Sequence, residues 1–438
     1  MANSHTGTRT GTSSKKKAVR TVKNRCRYGY RVLGKGVLVS NDTRTTHLNN
    51  NDLICGASGS SKTGSVVYTQ LKTLEDSSLV VVDTKGRLCS MFTRELRNKG
   101  YDVLTLDFAN PERSCKYNPL SYIRKNSLGT YNELDISKLA ASLMPLGKYD
   151  REPFWTQSAR LLLESFISYT LEALPEEDHT MYSVSRLYRA FTKEKGETGF
   201  LPWLDDHPHS FAKIRYDEIC ALKSSERTLA SVYGFVNTAL FPFDISEMRN
   251  IFEPGLRVPG SRPKTLDIGT LGEKKTVLFL NVSDVDHSMD ALINIFYTQV
   301  LQTLISKADQ EPGGQLKIPV RVIMDDFASS ATIPDFDKII SVVRSRDLWL
   351  TLCIQSFTQL ESLYTYEQAQ TIVSNCDHIV FLGSNDLRSA QFIGTRANRT
   401  PESILVMDRS KEYVLEGGRP AVMADKVPPY SYADDDIA

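Results

Sequence analysis

The chain reads as an α/β protein, a mostly parallel sheet covered by helices and interrupted by an all-helical insertion. Three observations predict this. First, "DLIC" (52–55), "SLVVVD" (78–83) and "DVLTLD" (102–107) are short, nearly all-apolar runs, as expected of strands buried on both faces of a parallel sheet. Second, helical stretches separate them, which is a βαβαβ rhythm. Third, no convincing strand follows Asp107 until "TVLFLNV" (276–282), a gap far longer than a crossover requires.

Each element follows in order. Residues 1–41 carry ten Lys or Arg and no acid, including "KKK" at 15–17. A basic, Ser/Thr-rich leader of this kind, ending near Tyr28, reads as a tail without a core, with Lys15, Lys16, Lys17, Arg20 and Lys23 as candidate contacts to nucleic acid or anionic lipid. After the strand at 78–83, "SMFTRELRNKG" (90–100) reads as a helix closed by Gly100. Within the insertion, "WTQSARLLLESFISYTLEAL" places Ala159, Leu162, Leu163, Phe166, Ile167 and Leu171 on one helical face. Glu176–His179 and Trp203–Ser210 read as loops between helices. The alternation then resumes with strands at 276–282, 320–325, 348–354 and 378–383, and with a turn at "EPGGQ" (311–315). The organisation expected is a leader (1–28), a nucleotide-binding domain in two pieces (29–127 and 266–425), an all-helical domain (128–265) and an acidic tail (426–438).

Composition sets bounds. With 41% hydrophobic and 24% charged residues and a net charge of +1, this is an ordinary globular composition. Seven scattered cysteines without a C-x-x-C pair read as reduced thiols of a cytosolic protein. No stretch approaches the length of a membrane-spanning helix, and the leader lacks the apolar segment of a secretory signal. The "DDHPHS" stretch (205–210) reads as a solvated loop rather than a metal site.

The chemistry centres on "GASGSSKT" (56–63). Gly56, Ala57, Ser58, Gly59, Ser60, Ser61, Lys62 and Thr63 fit a phosphate-binding loop between a buried strand and a helix. Its backbone N–H groups would surround a phosphate, Lys62 would reach the outer phosphate oxygens, and Thr63 would hold Mg2+. The following helix directs its positive end at the same anion. "VRVIMDDFA" supplies an acidic partner on a neighbouring strand. Asp325 would hold Mg2+ beside Thr63, and Asp326 would polarise the attacking water.

Together with "VVVDTKGRL", "YNPL", "FW…ARLLLESFI", "VIMDDFASSATIPDFDKIISVVRSRDL", "IQSFTQL", "TIVSNCDHIVFLG" and "GGRPAVMADK", the loop makes the chain resemble the VirD4/TraG coupling proteins of conjugation and type IV secretion. The resemblance spans about residues 30–430 and is nearest to forms in Gram-positive mobile elements. It implies a RecA-like P-loop ATPase using ATP and Mg2+, with a helical accessory domain and a hexameric ring. It also implies delivery of a relaxase-bound single DNA strand to the channel subunits. By position, Arg344 matches the finger that reaches a neighbouring subunit's γ-phosphate, and Gln355 matches the glutamine that senses that phosphate.

Three residues depart from the family pattern. Ser61 replaces the last glycine of the loop, where a Cβ crowds the backbone approach to phosphate. Asp326 replaces a glutamate with a carboxylate one methylene shorter, and a misplacement of about 1 Å can cost roughly 100-fold in rate. Arg87 stands where the family has an acid. The family's membrane anchor is not seen, so a cytoplasmic protein held at the membrane through a partner is expected. Two readings stay open: a working motor, or a receptor that keeps the fold and serves as a docking platform for relaxase or secreted protein. A double-stranded DNA pump of the FtsK/HerA type shares the core but not the downstream stretches.

Overall fold

The computed structural model describes residues 28–84, 86–146, 153–193, 199–221, 226–253, 255–256, 264–283, 287–327 and 332–431. The candidate leader contacts Lys15, Lys16, Lys17, Arg20 and Lys23, and the "DDD" of the tail, lie outside these residues. In chain order the strands are β1 (Tyr30–Gly34), β2 (Val37–Ser40), β3 (Asp52–Cys55), β4 (Ser78–Asp83), β5 (Asp102–Asp107) and β6 (Thr276–Asn281). They continue as β7 (Val320–Met324), β8 (Leu348–Ile354), β9 (His378–Phe381), β10 (Lys411–Glu416) and β11 (Val422–Asp425). The chain divides into two compact units. One comprises Met1–Leu79, Ile318–Ser329 and Ile340–Ala438; the other comprises Val80–Lys317 and Ser330–Ile339.

In the first unit the strand order is β11-β10-β9-β3-β8-β7. Strands β9, β3, β8 and β7 run parallel, while β10 and β11 turn back antiparallel. The parallel members are wholly buried, which explains why their sequences read as unbroken apolar runs. Strands β1 and β2 form a separate hairpin.

The lower, N-terminal ends of these strands hold a buried ionic cluster. Asp52, at the start of β3, accepts from Arg31 Nε (3.0 Å) and Nη2 (2.8 Å) and from Arg321 Nη1 (2.9 Å). Asn41 and Asn50 accept from Arg31, and Thr351 accepts from Arg321. The His378 Nδ1 lies 2.9 Å from Arg31 Nη2. Burial, with Arg31 close by, pushes the imidazole down to about 3, so it is neutral. The cluster fixes the β1–β2 hairpin against β3, β7, β8 and β9 and sets the position of β3.

In the second unit β5 and β6 pair in parallel from Asp102↔Thr276 to Asp107↔Asn281. Between them in the chain come helices, including Glu133–Leu143, Pro153–Ala173, Met181–Lys193, Phe211–Cys220 and Glu226–Asp244. Ala159, Leu162, Leu163, Phe166, Ile167 and Leu171 are all buried, as the helical spacing predicts. Phe166 stacks on Phe200 with ring centroids 4.4 Å apart, and Ser165 Oγ donates to the Ala212 carbonyl at 2.7 Å.

Some expectations need correction. Trp203–Asp206 is not loop but the end of the helix Phe200–Asp206. Pro202 is tolerated because it falls in the first turn, where N–H groups lack helical partners, and Trp203 stacks on His207 at 4.2 Å. The helix expected at 90–100 begins earlier, at Arg87, because Asp83 accepts from the N–H groups of Arg87 and Cys89. Its end follows the reading: Gly100 has φ +84 and the Tyr101 N–H reaches the Leu96 carbonyl at 3.0 Å. The hairpins β1–β2 and β10–β11 were not foreseen.

Candidate nucleotide site

Parallel strands deliver their C-terminal ends to one edge of a sheet, where loops can converge on a ligand. In the first unit β3 ends at Cys55 and runs into residues 56–63. Strand β8 pairs with β3 at Ile354↔Cys55, and the Gly56 N–H donates to the Ile354 carbonyl at 3.1 Å. Gln355 therefore follows directly beside the start of the loop. Strand β7 ends at Met324, which brings Asp325 to the same edge.

The loop is tightly built. A Cβ at Gly56 would meet Ser60 Oγ at 2.3 Å and Leu382 Cβ at 2.9 Å, so only glycine fits. Gly59 has φ +76 and Ser61 φ +73. Ser61 thus holds the left-handed backbone that glycine adopts without penalty, at a cost of about 1–3 kcal/mol. The chain then enters a wide turn over Lys62–Val67, in which the Tyr68 N–H reaches back five residues to the Thr63 carbonyl. Such turns recur at functional sites. The expectation of a regular helix directly after the loop is corrected here: α-helical geometry is confined to Tyr68–Lys72.

The polar groups converge as the pattern predicts. Thr63 Oγ1 donates to Asp325 Oδ2 at 2.6 Å. Lys62 is buried, with Nζ 2.8 Å from the Gly56 carbonyl. Burial raises the Asp325 carboxyl, and the Thr63 hydrogen bond partly offsets this. Asp326 has φ +51, and its N–H donates to Asp325 Oδ1 at 3.1 Å. The Ser60 hydroxyl oxygen is buried without a hydrogen-bond partner. A hydroxyl and a carboxylate side by side are hard oxygen donors, suited to Mg2+ rather than to a softer metal. With the glycine-dependent cradle around Gly56, these residues fit a phosphate-bound Mg2+ ion.

The remaining residues are placed differently. Arg344 is exposed in the turn Val343–Arg346 before β8 and donates to the His47 carbonyl at 2.8 Å. It therefore sits at the opposite end of the strands from Thr63, Asp325 and Gln355, and one chain does not bring it to them. The Gln355 N–H donates to Gln359 Oε1 at 3.0 Å, and its carbonyl lies 3.5 Å from Ser384 Oγ. Arg87 opens a helix in the second unit. Sequence reasoning gave no role to Lys426, although it falls in "GGRPAVMADK". Its Nζ donates to the Leu382 carbonyl (2.7 Å) and to the Ser60 carbonyl in the loop itself (3.3 Å). Nothing in the local pattern marks this lysine, because its partner lies far back in the chain.

The fold is of the RecA type found in P-loop NTPases. The family profile described as "Type IV secretory system Conjugative DNA transfer" matches residues 5–399, and the chain belongs to that family. The plasmid coupling protein TrwB, solved in complex with ADP and Mg2+, is similar over 97% of this chain and 94% of its own, at 19% identity and a TM-score of 0.68. TrwB with the non-hydrolysable ATP analogue ADPNP gives 17% identity over 95% and 92%, with a TM-score of 0.66. VirB4 of Thermoanaerobacter pseudethanolicus is similar at 13% identity over 94% and 99%, with a TM-score of 0.56. No curated protein sequence matches the chain. Among the described residues no helix is long and apolar enough to cross a membrane.

Proposed function

We propose that this protein is a coupling ATPase of conjugative DNA transfer, which binds ATP with Mg2+ and delivers a relaxase-bound single DNA strand to a type IV secretion channel. The observation that carries the reading is the 2.6 Å contact between Thr63 and Asp325, beside Lys62 and a loop that admits only glycine at position 56. Thr63 and Asp325 would hold Mg2+, which when bound would neutralise negative charge on the phosphates. Lys62 moves from the Gly56 carbonyl to the outer phosphates. Asp326 orients the water, and Gln355 reads the γ-phosphate from the end of β8. Arg344 works in trans, which requires a homo-oligomer, a hexamer by resemblance. The basic leader contributes to DNA binding, and a partner holds the protein at the cytoplasmic membrane.

The test is binding of a fluorescent ATP analogue and DNA-stimulated ATP turnover. Lys62→Ala should abolish both. Equal analogue binding by wild type and variant would overturn the nucleotide site. One observation favours a second reading. Ser61 carries a strained backbone and Asp326 is a short carboxylate with φ +51, so the chain could bind ATP and serve as a docking platform without turnover. Tight binding without DNA-stimulated hydrolysis would select it.

A further inference from the structure

The segment after β11 crosses the phosphate loop at two points. Lys426 Nζ donates to the Ser60 carbonyl, and four residues later the Tyr430 N–H donates to the Gly64 carbonyl at 3.1 Å. Pro429 and Tyr430 cover Gly64 so closely that a Cβ there would lie 3.0 Å and 3.2 Å from their side chains. The Tyr430 ring meets Tyr68 edge-on at 5.6 Å. Lys426 is itself anchored, because its N–H donates to the Ser410 carbonyl at 2.9 Å and its Nζ also holds the Leu382 carbonyl.

We propose that Lys426 is a positioning residue of the nucleotide site, holding the Ser60–Ser61 peptide in the orientation that binds phosphate. The inference deepens the nucleotide-site reading given above and rests on it. In a planar trans peptide the carbonyl and the next N–H point in opposite directions. With the Ser60 carbonyl drawn outward to Lys426, the Ser61 N–H is turned to the other side of the peptide plane, toward the inside of the loop. This is also the place where the chain departs from the usual loop. Glycine at 61 would adopt the left-handed conformation freely, whereas Ser61 is held there against its preference, and strained backbone persists only where its surroundings over-determine it. Lys426 supplies that restraint. A lysine suits the task because its ammonium group donates to two carbonyls at once.

The experiment measures the affinity of the full-length protein for a fluorescent ATP analogue with Mg2+, with melting curves as a fold control. Lys426→Met should weaken binding about tenfold, in keeping with loss of a charge-assisted hydrogen bond at the site. Lys426→Arg should restore most of it. In a Ser61→Gly background the Lys426→Met loss should shrink to about threefold or less, because glycine no longer needs the restraint; a merely structural role would not make the two sites interact. If Lys426→Met lowers the melting temperature sharply, Tyr430→Ala, which loosens the second crossing, is measured in its place with the same Ser61→Gly comparison. Additive effects of Lys426 and Ser61, or unchanged affinity in Lys426→Met while Lys62→Ala still abolishes binding, would overturn this inference and leave the nucleotide site standing. Binding retained by Lys62→Ala would overturn both.

Discussion

Replacing Asp52 by Asn tests the frame on which the site is built. Asp52 is wholly buried and is the carboxylate shared by Arg31 and Arg321, themselves only 2% and 4% exposed. Asn preserves the shape and removes the charge. It also turns an N–H donor toward guanidinium donors, so at least one of the four guanidinium N–H contacts to the carboxylate is lost outright. Neither arginine reaches water, and His378, pushed down to about 3, adds no compensating charge at neutral pH. Removing one partner of a buried ion pair costs about 3–5 kcal/mol. For a unit of this size that corresponds to a fall in melting temperature on the order of 10 °C. The assay is thermal unfolding followed by circular dichroism at neutral pH. The pH dependence follows from the direction of the shift. Burial alone would raise the Asp52 carboxyl, but Arg31 and Arg321 bring it below its ordinary value. Its contribution is therefore full above the ordinary carboxylate range and is lost as pH falls through the depressed folded-state value. The gap between wild type and Asp52→Asn should close only in strong acid. A variant melting within about 1 °C of wild type at pH 7 would refute the reasoning, since a shift that small is below the effect of 1 kcal/mol.

Other expectations follow from the same geometry. Burial pushes Glu412 up to about 8, so the stability it contributes is full in acid and is lost as pH rises through that value. Urea midpoints of Glu412→Gln should match wild type near pH 4 and exceed it at pH 9, and parallel curves would refute the burial argument. Asp326→Glu should raise kcat with little change in nucleotide affinity; a change confined to affinity would remove Asp326 from the chemistry. Arg344→Ala and Asp325→Ala proteins, each inactive alone, should recover part of the ATP turnover when mixed, and no recovery would sink the trans assignment. Deleting residues 1–27 should flatten the fall of DNA affinity with salt, because fewer phosphate contacts release fewer counterions; an unchanged slope would assign the leader to another partner.

The sequence by itself determined the α/β architecture with its mostly parallel sheet. Strands β3 and β4 coincide with the apolar runs because strands covered on both faces leave no room for alternation. The tight turn over residues 56–63 was legible because it is a local structure, with glycine required at 56 and a left-handed backbone at 59 set by the path of eight neighbours. The position of Asp325, directly after β7, was legible because the buried apolar run stops there. Only the tertiary structure decided what depends on distant partners. Asp52, the one charged residue of the "DLIC" run, anchors two arginines drawn from β1 and β7. The hairpins β1–β2 and β10–β11 escaped notice because β2 and β11 are largely exposed or half-buried, and because β1 and β10 each bury a charged residue, Arg31 and Glu412, within their runs. Lys426 meets Ser60 across 366 residues of chain, a separation over which no sequence pattern carries information. The physical reason is the same in each case: periodicity and turn chemistry record interactions within a few residues, whereas a buried charge is tolerated only by partners that folding brings from elsewhere.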